Sequence, residues 1–327
     1  DLAQVTVGSD IRQALASSRS LAQHAEKLGF HRFWLAEHHN MPGIASAATA
    51  VLIAHVAGAT STMRIGSGGI MLPNHAPLMV AEQFGTLNAL YGDRIDLGLG
   101  RAPGTDGLTA RALRRYMDSA DTFPNDVAEL LGYLGDEPSK TGVNAYPGAG
   151  SNVPVWILGS SLFGAQFAAY MGLPYAFASH FAPQILEEAL HTYRSTFRPS
   201  QYLAEPYAII AASVVAADTD AEADYLRSSQ LQSFANVVTG KRGKVPAPVE
   251  DITAHIAPQV LAQVRQMLSV SAHGGPEKLH QELSDILTRH HPDELMVTGI
   301  IHDHEKRLHS LTLTANALQD LRSKGTT

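Results

Sequence analysis

The sequence predicts an α/β fold, a (β/α)8 or TIM barrel, on two observations. Short apolar runs alternate with amphipathic helical stretches along the chain, and seven or eight such units can be counted. Strands separated by helices pair in parallel, because each crossover has to return over the sheet. That number of units favours a closed barrel over an open doubly wound sheet, the structural alternative, which usually holds about five or six strands.

The helix from Asp10 to Leu28 carries Ile11, Leu15, Ala22, Ala25 and Leu28 at helical spacing, with Ser9 or Asp10 as N-cap and Gly29 as the stop. Phe33 to Ala36 is the strand that follows. A helix over Ala47 to Thr60 then leads to a strand over Arg64 to Ile70, and one over Val80 to Leu90 leads to a strand over Ile95 to Leu99. Farther on, strands are expected at Val155 to Leu158, Tyr175 to Ala178, Tyr207 to Ala217 and Glu294 to Val297. Helices are expected over Ser161 to Met171, Pro183 to about Phe197 and His304 to Leu321.

These are seven strands. The first of eight would be Leu2 to Val7, a poor strand that reads as truncated. Counted with it, insertions follow strands four and seven, over Ala102 to Asn152 and Asn236 to Ser271; excursions of this length are usually binding loops or disordered. Residues 1–327 are expected to form one barrel domain.

Of the residues, 45% are hydrophobic and 17% charged, the composition of a globular protein. Lys and Arg total 24 against 31 Asp and Glu, a formal net charge of -7, which argues against a nucleic-acid partner. The absence of cysteine excludes disulfides, thiolate nucleophiles and Cys-bound zinc. No apolar run is long enough to span a bilayer, so a cytoplasmic enzyme without a membrane partner is expected.

In a barrel, residues just past the C-terminal strand ends converge on one mouth. This gathers Glu37, His38 and His39, then Gly68, Gly69, Asn74 and His75, then Arg101, Gly159, Ser160, Ser161, Ser179 and His180. Gly159-Ser160-Ser161 opens a helix and can face a phosphate there, although capping alone would also explain the serines. Arg101 is a cation that could share such a phosphate or form a surface ion pair. Two glycines inside the strand at Gly68 and Gly69 signal either a flat ligand against the backbone or tight barrel packing. A mouth histidine tuned by Glu37 suits acid-base work near neutrality, while a hydrogen-bonded pair holding the loop is the plainer reading. His38 and His39 point to opposite sides if the strand continues, which weakens a metal site, and no metal ligand is assigned.

These residues resemble the bacterial luciferase-like family of flavin-dependent monooxygenases. The resemblance rests on Trp34-Leu35-Ala36-Glu37-His38-His39-Asn40, Ile65 to Pro73, Pro77 to Leu90 with Glu82-Gln83, Arg94 to Arg101, Trp156 to Ser161 and Gly172 to Tyr175, in order. It implies a (β/α)8 barrel using reduced FMN, usually supplied by a separate flavin reductase, with O2 held as a flavin hydroperoxide that oxidises a small organic substrate. It further implies His38 as the catalytic histidine and Glu37 as the acid beside the flavin. Gly68-Gly69 falls at a non-proline cis peptide against the ring, and Arg101 and Ser160, with Ser161 adjacent, fall at phosphate contacts. Gly159 stands where luciferase has an acidic residue, so long-chain aldehyde chemistry and light emission are not implied.

The expected function is an FMN-dependent monooxygenase acting on an alkanal-like or related compound, with a homodimer as the expected assembly. The alternatives are a flavin or deazaflavin hydride-transfer enzyme, a non-catalytic flavin-binding subunit, and a metal-dependent hydrolase using His38, His75 and His180.

Overall fold

A computed structural model describes residues 1–102, 104–114, 121–138, 142–323 and 325. Eight strands form one sheet in which every pair is parallel. They are β1 (Arg32–Leu35), β2 (Arg64–Met71), β3 (Ile95–Gly100), β4 (Val155–Gly159), β5 (Tyr175–Phe177), β6 (Ala208–Ala216), β7 (Ser271–Gly274) and β8 (Glu294–Thr298). The order runs β1 to β7 in sequence, and β8 pairs with β6. Among the described residues no ladder joins β1 to β8, so the sheet curls as a barrel does without closing.

Two expectations need correction. Leu2 to Val7 is no strand; it makes isolated bridges, Gln4 with Ile44 and Thr6 with Val245, and so ties loops together. The eighth strand is β7, whose Ser-Ala-His-Gly sequence carries no β pattern. It exists because β6 is nine residues long and fully buried: residues 208–210 serve β5, 209–213 serve β8, and 213–216 are left for β7.

The helices pack outside. In α1 (Ile11–Lys27) the Asp10 side chain accepts from the Gln13 N–H while the Gln13 side chain accepts from the Asp10 N–H, a reciprocal cap, and Gly29 ends the helix at φ +81°. The chain continues through α2 (Thr49–Ala57) and α3 (Pro77–Tyr91), which starts on proline. The stretch from Ala102 to Asn152 holds α4 (Gly107–Ala112) and α5 (Phe123–Leu134); its residues 103, 115–120 and 139–141 lie outside those described. After β4 come α6 (Leu162–Met171), stopped by Gly172 in the left-handed conformation, and α7 (Leu186–Thr196). Between β6 and β7 lie α8 (Asp220–Val238) and α9 (Pro258–Met267), and α10 (Pro276–His290) and α11 (His304–Ser323) flank β8. None of the described helices is long and apolar enough to cross a membrane.

At the N-terminal strand ends a buried ion network plugs the sheet. The Arg32 guanidinium donates to both oxygens of Glu294 at 2.7 Å and to Asp96 at 2.6 Å, and Arg64 reaches the other Asp96 oxygen at 2.6 Å. Trp34 Nε1 and the Tyr207 hydroxyl satisfy the same two carboxylates. The Arg32–Glu294 pair thus spans the seam between β1 and β8 where backbone pairing is missing.

Candidate active site

A cavity of about 1840 Å³ runs from the N-terminal strand ends and the seam beside β1 and β8 to a mouth at the opposite, C-terminal ends of the strands. His38, Gly68, Gly69, Arg101, Gly159, Ser160, Ser161 and His180 all line it, so strands far apart in sequence deliver most of the expected residues to one place. The lining also takes in Arg32 and Glu294 below and Leu21 and Leu318 at the seam, whereas the expected site residues gather at the mouth.

Glu37 does not line the cavity; it is fully buried behind it. Four donors hold its carboxylate: His39 Nε2 at 2.8 Å, His75 Nε2 at 3.0 Å from both oxygens, the Met71 N–H at 2.9 Å and Asn74 Nδ2 at 3.1 Å. Burial pushes the carboxyl upward, but hydrogen bonding and charge from His75, then His39 and the Met71 N–H, outweigh it and hold Glu37 below the usual carboxylate range. The expected tuning of a histidine by Glu37 survives as an upward pull on His38 that burial outweighs, while His39 and His75 fix the acid itself. His39 thereby gains a structural partner.

His38 faces the cavity. Its Nδ1 lies 3.4 Å from the Gly104 carbonyl, and its backbone N–H donates to the Ser46 carbonyl. Burial holds the imidazole below its ordinary pKa, opposed by Gly104 and Glu37. A neutral ring at the mouth can accept a proton at one nitrogen while Gly104 orients the other.

Ser161 is the N-cap of α6 by position, yet its side chain makes no capping hydrogen bond. Capping therefore does not account for the serine. Arg101, from the end of β3, stacks over Phe163 in the first turn of the same helix, with Cζ 4.0 Å from the ring centroid. A cation and a helix N-terminus thus meet at one edge of the cavity, the arrangement that suits a phosphate.

The glycines divide. A Cβ at Gly69 would stand 2.7 Å from the Gly98 carbonyl oxygen, so packing within the sheet demands glycine there, and the Gly68-Gly69 bond is a non-proline cis peptide. A Cβ at Gly159 would meet nothing closer than 3.7 Å, so the protein itself does not require glycine at this point of the cavity wall. Room left there beside Ser160 and Arg101 fits a bound group, and on these grounds the residues present fit a flavin phosphate.

Ser179 is taken up by the scaffold, its hydroxyl donating to the Ala211 carbonyl at 2.6 Å and accepting from the Ala211 N–H. Among the described residues no group of three or more His, Asp or Glu could hold a metal ion. The Lys241 to Pro248 loop and the Ala102 to Asn152 insertion are expected from the sequence to close over the pocket; the contact that sequence reasoning missed is between them, where Arg242 pairs with Asp106 at 2.6 Å and donates to the Asn40 carbonyl, tying three mouth loops together. Only the capping position of Asp106 before α4 carried a signal.

Parallel strands delivering side chains to a deep C-terminal cavity define an α/β enzyme of the barrel type. The model of the luciferase-like monooxygenase family matches residues 2–298. A luciferase-like monooxygenase of Escherichia coli (strain K12) is 50% identical over 322 residues, covering 98% of this chain and 96% of its own. The crystal structure of apo-MsnO8 superposes with a TM-score of 0.87 at 35% identity, covering 97% of this chain and 96% of that one. At 14% identity, a likeness of fold alone, the oxygenating constituent of 3,6-diketocamphane monooxygenase from Pseudomonas putida, in complex with FMN, covers 94% of this chain and 93% of its own with a TM-score of 0.68. An F420-dependent secondary alcohol dehydrogenase, also 14% identical, covers 94% of each chain with a TM-score of 0.70. The chain belongs to the luciferase-like monooxygenase family and is a flavin-dependent monooxygenase.

Proposed function

We propose that this protein uses reduced FMN and O2 to oxidise a small organic substrate, and that the mouth residues divide the work. The observation that carries the proposal is Arg101 stacked on the first turn of α6 beside Ser160, Ser161 and the open space at Gly159. Arg101 and the serines hold the phosphate, and the Gly68-Gly69 backbone gives the ring a wall without side chains. When bound and reduced, FMN supplies the electrons that activate O2.

His38 moves the proton. Neutral at physiological pH and oriented by Gly104, it accepts or returns a proton at the ring nitrogen turned to the cavity. Glu37, fixed from four sides, acts through the β1 loop it rigidifies. A separate flavin reductase supplying reduced FMN, a homodimer, a single barrel domain over 1–327 and a cytoplasmic location belong to the same proposal.

The test is titration with FMN and with a deazaflavin, followed by oxygen uptake with reduced FMN and a panel of aldehydes. FMN binding with substrate-dependent oxygen consumption is expected. A preference for the deazaflavin with no oxygen consumed moves the reading to hydride transfer, and a stoichiometric divalent ion with no FMN affinity overturns it.

A further inference from the structure

His180 has no part in the machinery described so far. It follows β5 at the mouth and lines the same cavity as His38. Its Nδ1 is buried and has no hydrogen-bond partner, although an unpaired buried polar group ordinarily costs stability. The neighbouring Phe181 ring packs edge-on against it, with centroids 4.8 Å apart at 87°, which fixes the imidazole plane. The adjacent Ser179 is locked onto β6 through Ala211, so the backbone carrying the ring is rigid. A fixed, unsatisfied imidazole on a cavity wall is a group set up for something that is not protein.

We propose that His180 holds the organic substrate, donating a ring N–H to an acceptor oxygen on a neutral molecule whose apolar body lies along Phe181. Three observations place the occupant on the substrate side. The proposed phosphate edge, at Arg101 and α6, belongs to β3 and β4, and the proposed flavin wall belongs to β2, whereas His180 comes from β5. Phe181 is 40% exposed beside it, an apolar surface with no other use in the site. Burial, first of all, keeps the ring below its ordinary pKa. A neutral imidazole has one N–H to give and attracts no anion, so a carbonyl-type oxygen suits it better than a carboxylate.

This inference rests on the flavin reading, and the experiment separates the two. The probes are methyl hexyl ketone and its isostere in which a methylene group replaces the oxygen, each titrated into the FMN complex and followed through the flavin spectrum. The wild-type complex is expected to bind the ketone roughly tenfold more tightly than the isostere, the size of one net hydrogen bond. His180→Leu is expected to remove that preference while leaving FMN affinity within about twofold, and His180→Gln, which keeps an N–H, to restore most of it. A His180→Leu protein that retains the ketone preference, or a wild-type complex that has none, overturns the proposal. A parallel loss of FMN affinity in both variants makes His180 a flavin contact and overturns it too. Failure of the wild-type protein to bind FMN removes the flavin reading and this inference with it.

Discussion

Glu37 and His75 are joined twice, His75 Nε2 standing 3.0 Å from each oxygen of a carboxylate that water does not reach. Removing the imidazole leaves a buried charge short of a donor, so His75→Ala should lose about 1–3 kcal/mol at neutral pH. Glu37 titrates below its unfolded value, so its contribution is complete above the ordinary carboxylate pKa and is lost as pH falls through the folded one. The deficit of His75→Ala should therefore shrink in acid. Urea unfolding at neutral and acid pH checks this, and an equal deficit at both would place the effect elsewhere.

Gly69 and Gly159 should respond in opposite ways to the same methyl group. Gly69→Ala sets a Cβ against the Gly98 carbonyl, which as backbone cannot yield, and should cost about 1–3 kcal/mol of stability. Gly159→Ala should melt like the wild type and bind FMN more weakly, because its Cβ enters ligand space. Calorimetry and an FMN titration on both proteins decide it, and a stable Gly69→Ala contradicts the packing account.

Arg101→Ala should weaken FMN by roughly tenfold or more, the scale of a charge-assisted hydrogen bond, and leave riboflavin, which has no phosphate, nearly unaffected. The ratio of the two dissociation constants is the readout. Equal losses for both ligands would assign Arg101 to the ring or to the fold.

His38 is held below the ordinary imidazole value of about 6.5 by burial. The unfolded chain takes up that proton first, so stability is full above this pH and declines as pH falls through and below it. His38→Asn should flatten this part of the stability-pH curve. Substrate-coupled oxygen uptake should fall toward acid in the wild type, and the variant should lose most turnover at every pH. Full coupled turnover in His38→Asn would remove the residue from proton transfer.

Breaking the seam pair should be expensive and partly repairable. Glu294→Leu leaves Arg32 with Asp96 as its one carboxylate partner and should cost about 1–3 kcal/mol, while Arg32→Met with Glu294→Leu should recover a part of the loss, because Asp96 keeps Arg64 and Trp34 but gives up the Arg32 donor. A double-mutant cycle in guanidinium measures the coupling, and additive losses would show that the two residues stabilise the fold independently.

Much of the fold was legible because it repeats: helical spacing with Asp10 and Gly29 at the ends of α1, and apolar runs at β1 to β6 and β8. β7 was not, since Ser271-Ala272-His273-Gly274 becomes a strand only by docking on the far half of β6. The mouth residues could be read from strand ends, yet their partners could not. Glu37 lies 38 positions from His75 and Arg242 lies 136 from Asp106, and no local pattern encodes such meetings. For the same reason the sequence left Ser161 open between a helix cap and a phosphate contact, and the missing capping hydrogen bond is what separates the two.

β6 serves two clients along one strand. Its first residues are spliced into the barrel wall, while residues 213–216 carry β7 and so the α8–α9 segment whose connecting loop presents Arg242 to the mouth. That segment is consequently a cassette mounted on its own bracket. An engineer could exchange it for another of similar span, remodelling the roof of the pocket without recutting the scaffold below.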